Sequence, residues 1–472
     1  NMAFLIGGAN SAADTGYEVA NSCRFETDTV MKRTNASTST NGTQGCFSTW
    51  IKKCNVAGTG GGIITGWVDS SNFSVIYFDG DQQLNYLEYQ SGSSAAFLRT
   101  PNIFRDPTAW YHVAFLFDTT QGTAANRVKL YVNGTQITTF DSGGTTQPAE
   151  DLTLKIFAAS TSLDVGQDTS GSPHFMNGYL AETLLVDGST VAIGDLGEFD
   201  EDSPQIWKPK DISGISVGTN GFYCDYEDSS NLGNAVDGGT DLTETNLVAS
   251  DQTTDTPTLN YPTWNPVTTA TSGSAAYSQG NLQVVTPVSG LGWSISTIGA
   301  TSGKWYAEVF VVAYASLDRT AIGITGDPIG SLAGNSNIGT LTNSLDVGYW
   351  QNGYSAVGNS TDTDYGDTFA VDDLMGIALN IDDNEVIFYK NNTAQNSGTA
   401  ISFTAGSTYH FCLNDGSNGG GNTTVTNFGQ NGTFNGNKTA GGNADANGHG
   451  DFFYAPPTGF YALNTKNLAE FG

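Results

Sequence analysis

The chain has 472 residues, enough for two or three domains that each bury a full core. It carries 47 Asp and Glu against 17 Lys and Arg, a formal charge of −30. That balance excludes direct phosphate-backbone binding and disfavours an anionic membrane surface, since both need a basic face.

Residues 1–20 read as a Gly/Ala/Ser-rich lead-in without the basic and apolar regions of a secretory signal. Strands are expected near 21–27, 45–53, 62–68, 73–79, 84–90 and 96–100. Residues 110–139 then spell a strand, an acidic turn, a second strand and a tight corner into a third. Trp110, His112, Ala114 and Leu116 share one face, and Tyr111, Val113, Phe115 and Phe117 the other, which is the period-two pattern of a strand. Asn133-Gly134 supplies the corner, because both residues tolerate positive φ. Strands near 152–157, 178–187 and 220–226 close a first domain over residues 1–227.

Residues 228–265 are acidic and Thr-rich with few large apolar side chains, and are read as an extended linker or strap. A second domain spans 266–472, with strands near 281–285, 292–298, 303–314, 320–325, 345–350, 374–381, 384–390, 408–413 and 423–428. Its residues 375–397 repeat the strand–turn–strand pattern and turn at Asn391-Asn392. The Gly/Asn-rich stretch 429–450 is read as a surface loop, and the apolar residues after it as an end strand packing back. The fold class expected is all-β: two antiparallel β-sandwiches. No run approaches the length of a membrane span. The five cysteines show no C-x-x-C spacing and read as buried small hydrophobes of a reducing cytosol, with a Cys46–Cys54 bridge left open.

FSTWIKK at 47–53, the stretch 104–138 and NGYLAETLLVDG at 177–188 resemble the laminin-G/concanavalin-A-like lectin sandwich, a jelly roll. More narrowly they resemble the version in structural proteins of marine tailed phages, as do residues 206–214, 218–233, 261–266 and 452–468. SGKWYAEV at 302–309 with residues 376–392 resembles a SPRY domain. The resemblance implies a lectin-like sandwich followed by a SPRY-like sandwich in a virion structural protein, a tail-fibre, tail-tip or capsid-fibre component. The implied partners are other virion proteins, a host cell-surface glycan or protein, and further copies of the chain in a homo-oligomer. No nucleic acid and no membrane insertion are expected. Fold alone names no ligand.

EFDED at 198–202 resembles the E-x-D-x-E signature of glucanases on the same sandwich, with Glu198 and Asp200 as the acid pair. The third acid is Asp202 rather than Glu, and the flanks Gly194–Gly197 and Ser203-Pro204 read as loop. The stretch is therefore taken as an acidic turn and the protein as non-catalytic. His112 and His410 sit in aromatic strands without a second ligand at metal spacing. No cofactor or metal is expected; calcium is the one cation that the oxygen-rich turns 78–82 and 380–385 suit. Aromatic rings next to amides suit the apolar face and hydroxyls of a sugar. Trp350, Asn352 and Tyr354 in GYWQNGY, with Trp67 and Tyr86 of the first sandwich, are the ligand-binding candidates. Trp50, Trp110 and Trp305 are assigned to cores. Three readings remain: a structural protein without ligand, an adhesin for host glycan or protein, and a polysaccharide depolymerase.

Overall fold

The computed structural model describes residues 16–56, 58, 60–171, 174–267, 274–287, 291–314, 320–328, 337–339, 345–358, 363–415 and 421–472. Most of the lead-in read over residues 1–20 lies outside them. The chain forms two compact units, one ending at Thr258 and one beginning at Leu259. Both are built of antiparallel sheets, so the fold is all-β. No described helix is long and apolar enough to cross a membrane.

The strands of the first unit are β1 (Ser22–Phe25), β2 (Val30–Thr34), β3 (Gln44–Lys53), β4 (Gly62–Asp69), β5 (Asn72–Phe78), β6 (Gln83–Gln90) and β7 (Ser93–Ile103). There follow β8 (Trp110–Asp118), β9 (Val128–Val132), β10 (Thr135–Ile137), β11 (Thr145–Thr146), β12 (Ser162–Val165), β13 (Gln167–Asp168), β14 (His174–Phe175) and β15 (Gly178–Asp187). The last are β16 (Gly197–Phe199), β17 (Trp207–Pro209), β18 (Phe222–Cys224), β19 (Thr243–Thr245) and β20 (Gln252–Thr253). Sheet A runs β10-β9-β8-β3-β15-β1-β20, with β18 on β15; sheet B runs β11-β7-β6-β5-β4-β12-β2-β19.

The alternation in β8 divides as its sequence dictates. Val113, Phe115 and Phe117 enter the core between the sheets, against Ile76, Phe78, Leu84 and Tyr86 of sheet B. Burying each of these side chains stabilises by about 1.5–3 kcal/mol relative to exposure. The other face of β8 is covered as well. Leu196, Ile212 and Val217 pack on Ala114, Leu184 and Val186, and Trp207 packs with Trp50 and Trp110. Sheet A is thus closed on both faces. At the β9–β10 corner Asn133 and Gly134 take φ of 45° and 70°, and a Cβ on Gly134 would come within 2.2 Å of the Trp207 ring.

Residues 228–258 are not a linker. β19 pairs with β2, β20 pairs with β1, and Leu232, Ala235, Leu242 and Leu247 join the core. Two fully or nearly buried ion pairs lock the segment down, Lys52–Asp255 at 2.6 Å and Arg24–Asp251 at 2.8 Å. Those four buried apolar side chains are enough to anchor it, while Thr258 and Asp251 accept hydrogen bonds from buried partners. Residues 152–157 also differ from expectation. Lys155–Phe157 is a 3-10 turn whose Ile156 and Phe157 plug the core. All five cysteines are buried free thiols, Cys46 and Cys54 included.

In the second unit one sheet runs Ala276–Ser278, Gln283–Val285, Thr423–Asn427, Lys304–Ala313, Leu374–Asn380, Glu385–Lys390 and Thr393–Ala394. The other runs Gly292–Ile295, His410–Asp415, Thr320–Thr325, Asp346–Trp350, Tyr354–Val357 and Thr363–Asp364. Trp264, Trp305, Val309, Ile322, Tyr349, Phe388 and Phe411 fill the space between them. The second copy of the hairpin turns at Asn391 and Asn392, with φ of 47° and 66°. Tyr461–Ala462 pairs in parallel with Trp305–Tyr306, so the apolar tail does return to the sheet. The 429–450 stretch is more than a surface loop. Phe434 is buried against Phe310, and the Asp445 carboxylate accepts from the Ala462 backbone and from Asn467 Nδ2, at 2.9 and 2.8 Å. Its Asn and Gly residues serve tight turns and side-chain hydrogen bonds, a role that low complexity conceals.

Candidate functional site

The outer face of sheet B is only partly covered. Its register places Phe73, Val75 and Tyr77 of β5, Asn85, Leu87 and Tyr89 of β6, Phe97 and Arg99 of β7, and Thr65 and Trp67 of β4 on the outer face. Trp67, Tyr77, Leu87, Tyr89 and Phe97 are only half-buried there. Trp67, Phe73 and Tyr89 are cross-strand partners and form a stacked row, with ring centroids 5.7 and 5.0 Å apart and interplanar angles of 24° and 20°. Such pairs contribute about 0.5–1.5 kcal/mol beyond area burial. Two residues further along each strand, about 7 Å away, lie Val75 and Leu87.

The row opens into a cavity of about 340 Å³ with Val75, Tyr77 and Leu87 among its lining residues, joined by Asp79, Asp168, Ser170 and His174. Part of that wall is the β13–β14 hairpin, which crosses the outer face of β4. Gly62 permits the crossing, since a Cβ there would stand 1.9 Å from the Asp168 backbone nitrogen. Thr65 Oγ1 donates to the Gln167 carbonyl at 2.8 Å and pins the hairpin. Burial first, then the nearby Asp168 and Asp79 carboxylates, push the Tyr77 phenol up to about 12, so it remains a hydrogen-bond donor. The cavity is within the usual volume of a small-ligand site.

Of the five candidates read from sequence, Trp67 lies on this face and Tyr86 does not. Tyr86 points into the core, fully buried, with its hydroxyl donating to Glu88 Oε2 at 3.0 Å. It shares a strand face with Leu84, whereas Tyr89 belongs to the opposite one. The same alternation identifies Tyr77 and Tyr89, which sequence reading passed over; His174 and Asp168 carried no signal beyond a turn. Trp350 also proves to be core, 7% exposed and packed with Trp293, Ala321 and Cys412. Across its tight turn Tyr354 is 39% exposed, and Asn352 Oδ1 accepts from the Tyr354 backbone at 3.2 Å. Trp350, Asn352 and Tyr354 therefore do not converge on one ligand. Trp50, Trp110 and Trp305 are buried.

The other constellations are occupied by structural partners. Glu198 pairs with Lys210 at 3.6 Å, and Asp200 with Lys208 at 3.1 Å. Lys208 beside it, with the Ser203 and Asp202 backbone N–H groups, holds the Asp200 carboxyl below the usual range. That is the opposite of what a general acid needs. His112 sits between Trp207, whose indole N–H donates to Nδ1 at 3.1 Å, and Ser48, 2.8 Å from Nε2. The indole donation leaves the ring proton on Nε2, so the imidazole donates to Ser48 and cannot accept its proton. Burial holds the ring neutral, with its pKa lowered to about 3. In the turns suited to calcium, Asp79 Oδ1 accepts from the Asp81 and Gln83 backbones, and Asp383 Oδ2 from Asn380 and Lys304. No group of three metal-ligating acidic, His or Cys side chains occurs among the described residues.

No curated protein matches the chain. Among solved structures the chain is similar to the SPRY domain of human HERC1, at 15% identity over 34% of this chain and 96% of that one, with a TM-score of 0.29. It is similar at 15% identity to a second human SPRY domain, over 33% of this chain and 96% of that one, with a TM-score of 0.27. A heptameric SAP-like pentraxin from Limulus polyphemus is likewise similar, at 15% identity over 38% and 80%, with a TM-score of 0.27. Residues 26–189, which carry β2 through β15 and so the open face itself, match the family described as Laminin_G_3, the concanavalin A-like lectin/glucanases superfamily.

Proposed function

We propose that the first sandwich is a non-catalytic recognition module that binds a glycan along the outer face of sheet B. The observation that carries this reading is the stacked row in which half-buried Trp67 and Tyr89 flank the buried Phe73, next to the cavity lined by Tyr77. Flat rings take the apolar faces of sugar rings, and the polar wall takes hydroxyls. The lectin-superfamily match over the same residues supports it. The sequence resemblance to phage structural proteins supports a setting: a virion component, assembled with other virion proteins and further copies of itself, that attaches to a host-surface glycan. Weak single-site binding would then be multiplied by the array. The second sandwich, resembling SPRY domains in its 302–309 and 376–392 stretches, serves as a protein-facing scaffold.

The test is calorimetric titration of the intact protein with a panel of soluble polysaccharides, monitored in parallel by tryptophan fluorescence. Binding that falls about tenfold or more in Trp67→Ala and Tyr89→Ala is expected. Binding to none of the panel, or binding that both variants retain, would leave the chain as a structural protein without this ligand.

A further inference from the structure

On the wall of the cavity, Asp168 carries a charge that the chain leaves unanswered. The residue is 8% exposed and lies on β13, where the hairpin is pinned by the Thr65–Gln167 bond. Its Oδ1 accepts from the Ser170 backbone N–H at 2.8 Å, which fixes the carboxylate. Its Oδ2 accepts no hydrogen bond, and it is not among the sealed atoms of the interior: it keeps accessible surface where Asp168 lines the cavity. Among the described residues no Lys, Arg or His side chain pairs with it, His174 opposite it on β14 included. A carboxylate so far withdrawn from water costs free energy until a donor or a counter-charge reaches it.

The rest of the wall narrows the ligand. No described Lys or Arg lines the cavity, and its second carboxylate, Asp79, is spent on the Asp81 and Gln83 backbones and on Asn85 Nδ2. Arg99, close enough to act on Tyr77 and Asp79, is held by Asp141 at 2.5 Å. An anionic sugar therefore meets two carboxylates. A divalent cation is poorly served, since no three metal-ligating acidic, His or Cys side chains come together among the described residues. A hydroxyl brings a donor without a charge, whereas an ammonium brings three donors and the charge. The half-buried Tyr77 ring adds an aromatic surface that suits a cation. At about 340 Å³ the cavity is at the small end of ligand sites and takes one sugar residue. We propose that this cavity binds a sugar residue bearing a free ammonium group, anchored by Asp168 Oδ2 beside Tyr77. This rests on the glycan reading above and adds to it the class of sugar, an unacetylated amino sugar, and the residue that selects it.

The experiment titrates the intact protein by calorimetry with two tetrasaccharides that differ only at the amine, one of glucosamine and one of N-acetylglucosamine. Wild type is expected to bind the glucosamine tetramer about tenfold or more tightly than the acetylated one. That preference is expected to survive about 0.5 M salt, because a partly buried pair is screened far less than exposed charges. Asp168→Asn keeps an acceptor for the Ser170 N–H and removes the charge, and is expected to erase the preference with an unchanged melting temperature. Asp383→Asn makes the same change of net charge in the second unit and is expected to preserve it, which separates the site from the general pull of an acidic chain on a cation. Equal binding of the two tetramers, a preference abolished by salt, or one that survives in Asp168→Asn overturns the ammonium site. Acetylated or neutral saccharides whose binding depends on Trp67 then still support the glycan reading. Binding of neither tetramer overturns the ammonium site, and the glycan reading falls with it only where every polysaccharide of the panel fails as well.

Discussion

The two sandwiches differ in what lies over their sheets. In the first, residues 188–217 cover the outer face of sheet A, while the outer face of sheet B leaves Trp67, Tyr77, Tyr89 and Phe97 half-buried. In the second, apolar cover reaches both outer faces. Tyr261 and Phe452 pack on Tyr306 and Ala378, Phe434 packs on Phe310 and Leu374, and Ile338 packs on Trp293, Trp350 and Cys412. Strands of similar chemistry therefore leave a half-buried aromatic face in one case and a covered one in the other. The difference lies in the excursions between strands, not in the strands. A tryptophan in a turn-rich aromatic motif means opposite things at Trp67 and Trp350.

That contrast is broken most severely by truncating the aromatic residues themselves. Trp350→Ala and Tyr86→Ala each remove a buried ring and are expected to cost about 3–5 kcal/mol in denaturant unfolding. Trp67→Ala and Tyr89→Ala are expected to cost about 1 kcal/mol, since only stacking and partial burial are lost. If Trp67→Ala were as destabilising as Trp350→Ala, the open face would be core like the rest.

A second comparison sets a buried ion pair against an exposed one. Lys52 and Asp255 are both fully buried, with Trp110 Nε1 donating to Asp255 Oδ1 at 3.1 Å. Asp255→Ala strands the ammonium in the interior and is expected to destabilise the first unit by about 3–5 kcal/mol. Lys304–Asp383 in the second unit is 3.4 Å long, with the two side chains 36% and 61% exposed. Asp383→Ala is expected to change stability by less than about 1 kcal/mol. Chemical denaturation of each variant, followed by hydrogen exchange in its own unit, separates the two results. A small effect at Asp255 would return residues 249–258 to the role of a linker.

Most of the strands were legible because alternation is a local property. The strands expected at 178–187 and 320–325 occur with those bounds, and both Asn corners turn with positive φ. The errors share one cause: local sequence does not say what packs on top. Tyr86 and Tyr89 are three residues apart in one strand, hence on opposite faces, and which face is buried depends on sheet A. Residues 243–253 are too short and polar to read as strands, yet they pair with β1 and β2 from more than 200 positions away. The cross-strand row of Tyr77, Asn85 and Arg99 was out of reach for the same reason. Tyr77, Asn85 and Arg99 meet only once three strands are in register.

Acid titration extends the comparison to pH. Glu308 in the second unit accepts from the Phe453 and Tyr454 backbones at 2.9 and 2.8 Å and from Asn427 Nδ2 at 3.2 Å, yet burial dominates and raises its pKa from 4.5 to about 7. A carboxyl whose folded pKa is raised binds its proton more tightly when folded. Its contribution is therefore fully present below pH 4.5 and is lost as pH rises towards 7, by about 3 kcal/mol. Glu308→Gln is expected to flatten that slope in the hydrogen exchange of the Phe453 and Tyr454 amides. An unchanged slope would show that another group titrates there.

Above neutral pH the two units should part. Lys53 of β3 is buried with only uncharged partners: Gln82 Oε1 at 2.6 Å, the Phe104 carbonyl at 3.2 Å and the Phe78 ring, 3.8 Å from its Nζ. Burial lowers its pKa from 10.5 to about 7. A base with a depressed folded pKa penalises the folded state below that pKa, and the penalty lifts as pH rises from 7 towards 10.5. The first unit is therefore expected to gain about 2 kcal/mol between pH 7 and 9, a gain with no counterpart from Glu308, which is already ionised. Lys53→Met replaces the amine with a side chain suited to Phe78 and Met176 and should abolish the alkaline rise. It should also stabilise the first unit at pH 7, as removal of a buried charge commonly does. Equal pH profiles for Lys53→Met and wild type, read by exchange of the β3 amides between pH 7 and 9, would mean that Lys53 is solvated in solution and that the interior behind sheet B is wet.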